Sequence, residues 1–85
     1  RYGDLYLFVY DMKGNCIAHG GNLTYVGQNH WDREDQDGHK YVQEYIQKAQ
    51  SVGSGWVDAK LKNSFQSAYV EKIELGLKSY VIGSS

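Results

Sequence analysis

The sequence predicts an α+β domain: a five-stranded antiparallel sheet with one helix and one long loop packed on a single face. Three observations carry this. Short apolar or alternating runs, bounded by turn residues, mark five strands. Between Gly38 and Gly53 the apolar spacing changes to the three-to-four-residue period of a helix. The chain from Gly20 to Gly38 is polar and too long for a turn, so it is a loop.

The elements follow in order. Leu5–Tyr10 is apolar throughout and reads as a central strand, with Tyr6, Phe8 and Tyr10 on one face and Leu5, Leu7 and Val9 on the other. Asp11–Asn15 is a turn in which Gly14 is free to take positive φ. Cys16–His19 returns as a short strand and completes a hairpin. In the loop, Leu23, Tyr25, Val26 and Trp31 are the large apolar anchors; Trp31 above all predicts that the loop is packed, with a helical turn or two. Asp37 occupies an N-cap position, and Tyr41, Val42, Tyr45, Ile46 and Ala49 form one apolar stripe on the helix that follows. Gly53 and Gly55 end that helix. Trp56–Lys62 alternates, with Val57, Ala59 and Leu61 on one side. Asn63–Gln66 reads as a turn, Ser67–Leu75 as the fourth strand, Gly76 as the next turn and Lys78–Gly83 as the last strand.

Composition bounds what such a domain can do. At 85 residues and 9.7 kDa it has a thin core, with little room for a deep cleft, a lid and a large cofactor. Nine basic against ten acidic side chains give a net charge of −1, without the basic excess of a phosphate-binding protein, so nucleic acid is not an expected partner. The longest apolar run, Leu5–Tyr10, falls far short of the roughly 20 residues of a membrane span. No signal peptide is recognisable and the chain opens on Arg1, which reads as a domain cut from a longer protein. A single cysteine, Cys16, excludes an internal disulfide and any cysteine-based zinc site.

Few residues point to reaction chemistry. His19, His30 and His39 match no compact metal motif. The acidic cluster Asp32, Glu34, Asp35 and Asp37 bears only a faint likeness to a calcium loop; solvated charge and helix-dipole stabilisation account for it better. Cys16 has no base and orienting partner in view, and no glycine-rich segment has phosphate-binding spacing. No cofactor and no catalysis are expected. The eight tyrosines are more telling. Most aromatic residues fall on strands of one small sheet, where they serve as core, or line a pocket between sheet and loop with hydroxyls as polar contacts. His19, at a strand end facing the loop, is placed to hydrogen-bond a ligand carboxylate.

The hairpin pattern YDxxGxxxAH (Tyr10–His19), the VGxN loop (Val26–Asn29), the GSGWVD strand entry (Gly53–Asp58) and the final YVIGS (Tyr80–Ser84) together resemble the single Cache domain, in the right order over nearly the whole chain. The resemblance implies a PAS-like extracytoplasmic sensor module of bacterial chemoreceptors and sensor kinases. It would bind a short organic acid or similar metabolite and have no enzymatic activity. The residues would form the ligand-binding core of a periplasmic sensor, without the long N-terminal helix and membrane spans of such receptors. Carried over, the pocket positions are Tyr6, Phe8, Tyr10, His19, Trp31, Asp32, Trp56 and Tyr69, with Ala59 and Leu61 standing where aromatic residues are common in the family. Alternation alone leaves open which face of the first strand is used. Further departures are Gly20 in place of a common proline, the short Asn63–Gln66 turn and the Ser84–Ser85 ending. They leave a second reading: a dimerisation or scaffold module, natural or engineered, with an altered or vestigial pocket.

Overall fold

The structure is a computed structural model that describes residues 5–62 and 64–85. The chain runs β1 (Leu7–Asp11), β2 (Cys16–His19), a 3-10 turn at Leu23–Tyr25, α1 (Tyr41–Ser51), β3 (Ser54–Leu61), β4 (Ser64–Leu75) and β5 (Lys78–Ser84). The strands form one antiparallel sheet in the order β2-β1-β5-β4-β3. The last strand therefore lies at the centre, between the first hairpin and the β3–β4 hairpin.

Strict alternation gives the sheet a dry inner face. Phe8 and Tyr10 of β1, Val57 and Ala59 of β3, Gln66, Ala68 and Val70 of β4 and Val81 of β5 are all buried there. Helix α1 lays Tyr41, Val42, Tyr45, Ile46 and Ala49 onto this face. Each large side chain so buried contributes about 1.5–3 kcal/mol. Phe8 is paired with Gly83 across β1 and β5, and a Cβ on Gly83 would collide with the Phe8 ring and press on Val70. The missing side chain is the seat of that ring.

The predicted fold class and strand count are found, and several boundaries differ. The helix starts at Tyr41 with Lys40 as an N-cap that makes no side-chain capping bond, so Asp37 does not cap it. Gly38 takes φ 77°, which breaks any helix begun at Asp37. Asp35 organises the approach instead: its Oδ1 accepts the backbone N–H groups of Asp37 and His39, each at 2.9 Å. None of the acidic cluster lies in the first helical turn, where Glu44 is the acid present, so helix-dipole stabilisation does not explain the cluster. Gly53, at φ 97°, follows the helix end, whereas Gly55 lies inside β3 opposite Val70. β4 begins at Ser64, because the register pairs Leu61 with Ser64; the expected turn over 63–66 is mostly strand, and Asn63 lies outside the described residues.

The long loop is packed, and of the predicted anchors Tyr25 packs against the core. Leu23 and Val26 are exposed and Trp31 is 38% exposed, while its neighbour His30 is buried. The loop is tied down through its backbone. Cys16 N–H donates to Gln28 O at 2.8 Å, Gly27 N–H to Cys16 O at 2.9 Å and His30 N–H to Gly14 O at 2.8 Å. Further on, Gln36 N–H donates to Lys60 O at 2.9 Å and Lys60 N–H to Asp35 Oδ2 at 3.0 Å.

Candidate functional site

The loop, helix α1 and the inner sheet face enclose a cavity of about 560 Å³. Tyr6, Phe8 and Tyr10 project into it at every second position of the first strand and its approach. Tyr41 and Tyr45, one helical turn apart, face them from α1, and Leu61, Lys62 and Gln66 contribute from the β3–β4 hairpin. His19 closes the β2 side, and Tyr25 and Arg33 come from the loop.

The aromatic walls form an ordered array. Phe8 stacks on Tyr45 with ring centroids 4.9 Å apart, and it meets Tyr10 edge-on at 5.9 Å. Tyr41 meets Tyr45 edge-on at 5.9 Å. Their hydroxyls are largely spent inside the protein. Tyr6 Oη donates to Gln66 Oε1 at 2.9 Å, and Gln66 Nε2 donates to Tyr45 Oη at 2.7 Å. Tyr10 Oη lies 2.8 Å from His30 Nδ1. Burial pushes the Tyr10, Tyr41 and Tyr45 hydroxyls above the ordinary tyrosine range, so these walls stay neutral.

The charged and imidazole side chains in the lining are His19, Arg33, Glu34, Asp35 and Lys62. His19 Nδ1 accepts backbone N–H groups from Gly21 at 3.2 Å and Asn22 at 2.9 Å. An accepting Nδ1 places the proton on Nε2, so the cavity-lining imidazole is a donor there. Burial first, and the Arg33 charge second, hold His19 below the ordinary 6.5, which keeps it neutral at pH 7. His30 is lowered by burial, then by Arg33 and His19. Tyr25 meets both imidazoles edge-on, at 4.9 Å from His19 and 4.7 Å from His30. Over the same Tyr25 ring sits Arg33, with Cζ 4.6 Å from the centroid and Nη1 3.1 Å from His30 Nε2. Among the described residues no carboxylate pairs with this guanidinium. The neighbouring Asp35 carboxylate is held below its usual range by the N–H of Lys60 foremost, although burial opposes the shift, and is committed to the loop.

Of the sequence-derived pocket positions, Tyr6, Phe8, Tyr10, His19 and Leu61 line the cavity. Trp31 does not: its backbone packs against Gly14 and its carbonyl accepts from Gln43 Nε2, which leaves the indole half outside. Asp32 faces solvent and pairs with Lys40 at 3.5 Å. Trp56 and Tyr69 are opposite each other in the register, on the outer face, with rings 5.2 Å apart. They have the wrong parity for the cavity. Ala59 is on the inner face but borders a separate shallow depression of about 170 Å³ with Lys60 and Phe65. Sequence reasoning missed Arg33, Tyr41, Tyr45 and Gln66. The two tyrosines could have been found on the helix stripe, where they were read as core. Arg33 carries no local signal, since it looks like any charged loop residue. Among the described residues no three His, Cys, Asp or Glu side chains are grouped to hold a metal.

The sequence model of the single Cache domain 2 family matches residues 1–79. The chain belongs to that family. Solved structures agree with the Cache assignment. A periplasmic sensor domain of a chemotaxis protein is 26% identical, with a TM-score of 0.77. A methyl-accepting chemotaxis protein from Vibrio parahaemolyticus is 23% identical, with a TM-score of 0.72. A Cache chemosensory domain, described for its structural basis of carboxylic acid recognition, is 21% identical with a TM-score of 0.83. Each match covers 99% of this chain and 62%, 60% and 60% of those chains respectively, so this Cache chain spans about three-fifths of their length. No curated protein matches the sequence.

Proposed function

We propose that this Cache domain is the ligand-binding part of an extracytoplasmic signalling protein and that its ligand is a small carboxylic acid. The observation that carries the reading is Arg33, a guanidinium held on Tyr25 in the lining of the cavity and ion-paired with no acid among the described residues, although Glu34 and Asp35 line the cavity beside it. A carboxylate there would take charge-assisted hydrogen bonds from Arg33 and a further one from His19 Nε2–H. Such bonds contribute about 1.5–3 kcal/mol each. Tyr25 and Arg33 sit on the loop while Phe8 and Tyr45 sit on the sheet and helix, so a bound acid would favour one loop arrangement over others. In a receptor that bias is the signal. The family's chemotaxis neighbours support the reading.

A thermal-shift and calorimetric screen of small organic acids, amines and amino acids tests this. Acids should raise the melting temperature and amines should not, and Arg33→Gln should abolish the response. No shift with any acid would overturn it. A second reading, self-association through the sheet, has one observation in its favour: Leu7 and Trp56 on the outer face are 60% and 62% exposed. Light scattering that returned a dimer with no acid response would replace the sensor reading with this one.

A further inference from the structure

We propose that His30 is the positioning residue of this site: buried and outside the cavity lining, it aims Arg33 through the lone pair of its Nε2. This rests on the reading of Arg33 as the receptor of a carboxylate and says what holds that receptor in place.

Two side-chain contacts fix the guanidinium. Its Cζ lies 4.6 Å from the Tyr25 ring centroid, an attraction that leaves the group free to turn over the ring. The bond from Nη1 to His30 Nε2, at 3.1 Å, stops that turn. The guanidinium makes no other hydrogen bond among the described residues, so its remaining N–H groups are available to a carboxylate. His30 suits the part because it is itself immobilised. It is 4% exposed, its N–H donates to Gly14 O at 2.8 Å, and its carbonyl accepts the Arg33 N–H at 3.1 Å.

The chemistry selects one tautomer. Arginine only donates, so Nε2 must present a lone pair and the imidazole proton must sit on Nδ1. The inner side of the ring agrees. Nδ1 is 2.8 Å from Tyr10 Oη, which accepts an N–H there and turns its own O–H to the Cys16 sulfur, a hydrogen-bond partner of Tyr10. The Cys16 thiol in turn donates to Ala18 O at 3.6 Å. From Arg33 to β2, each donor then meets an acceptor. One neighbour asks for the opposite: Gln28 Oε1, 2.9 Å from Nε2, is satisfied only by a proton there. Gln28 is exposed and exchanges that bond for water, whereas Tyr10 is buried, so the proton follows Tyr10. An Nε2–H would oppose the Arg33 N–H and turn the guanidinium away.

Calorimetric titration with acetate, propionate, lactate and succinate, on wild type and on His30→Gln, His30→Asn and His30→Leu, tests the proposal. Gln sets an oxygen near the Nε2 position, Asn sets its amide near Nδ1, and Leu offers neither. For the acid that wild type binds most tightly, His30→Gln should stay within about threefold, and His30→Asn and His30→Leu should each lose at least about tenfold. A merely structural histidine would be replaced best by Asn, which keeps a partner for Tyr10. Asn binding as tightly as Gln overturns the proposal, and so does Gln losing as much as Leu. Imidazole nitrogen NMR shifts of acid-bound wild type should place the His30 proton on Nδ1; a proton on Nε2 overturns the proposal even where the variants fail to fold. In each of these cases wild-type binding leaves the carboxylate reading standing, whereas no binding of any of the four acids takes both.

Discussion

On the inner face of the sheet Phe8, Tyr10, Val57, Ala68, Val70 and Val81 are no more than 3% exposed, whereas on the outer face Leu7 and Trp56 are 60% and 62% exposed. The same strands build both faces, and adjacent residues such as Trp56 and Val57 have opposite fates. What separates them is cover. Helix α1 and the loop lie on one side, and the cavity is lined from both of them and from the sheet. Large aromatic side chains occur on both faces, so size and hydrophobicity do not mark the site. Position relative to the cover does.

The largest expected break in this comparison is Phe8→Ala, which removes a ring seated on Gly83 and stacked on Tyr45. It should cost about 3–5 kcal/mol in urea denaturation, and a loss below about 1 kcal/mol would mean the inner face repacks freely. Next is Gln66→Leu. It strips the Tyr6 and Tyr45 hydroxyls of their shared partner and should cost about 1–3 kcal/mol. Tyr45→Phe in the same background should recover part of that loss, and a variant as stable as wild type would show that the bridge is not structural.

Acidity probes the covered face by a smaller amount. His19 and His30 are both held below 6.5 in the fold, by burial first and by Arg33 next. As pH falls through 6.5 the unfolded chain takes up protons that the folded chain refuses, so stability present above that value is lost progressively below it. The urea midpoint should therefore drop between about pH 7.5 and about pH 5.5, and His30→Gln should flatten the slope. An unchanged midpoint would show that neither imidazole resists protonation. Smallest of all is the outer face. Trp56→Ser should change stability by under about 1 kcal/mol, and a loss comparable to that of Phe8→Ala would erase the distinction between the faces.

Much of the architecture was legible because two periods write themselves plainly into the chain. Alternation in Tyr6, Phe8 and Tyr10 and the stripe from Tyr41 to Ala49 locate the sheet's inner wall and the helix that covers it. The site was legible only in part. Its strand residues obey alternation, but Trp56 and Tyr69 obey it too, with the opposite parity, and parity is fixed by pairing with partners distant in sequence. The loop has no period at all. There His30, rather than the bulkier Trp31, is buried, because its N–H reaches Gly14 O and its ring reaches the Tyr10 hydroxyl. Arg33 acquires its role from Tyr25 and His30 only once the loop is folded, so hydropathy could not single it out.

The loop's backbone bonds have a consequence of another kind. In the strand order β2-β1-β5-β4-β3 the outermost strands are β2 and β3, the places where a sheet can recruit a foreign strand. Residues 27 and 28 occupy the open hydrogen-bonding groups of Cys16 at one border, and Asp35 and Gln36 occupy those of Lys60 at the other. One segment thus roofs the cavity and blunts both borders against aggregation. Loosening it to admit a bulkier ligand would also bare the sheet to its neighbours, so evolution of new specificity in this loop is bounded by solubility as well as by fit.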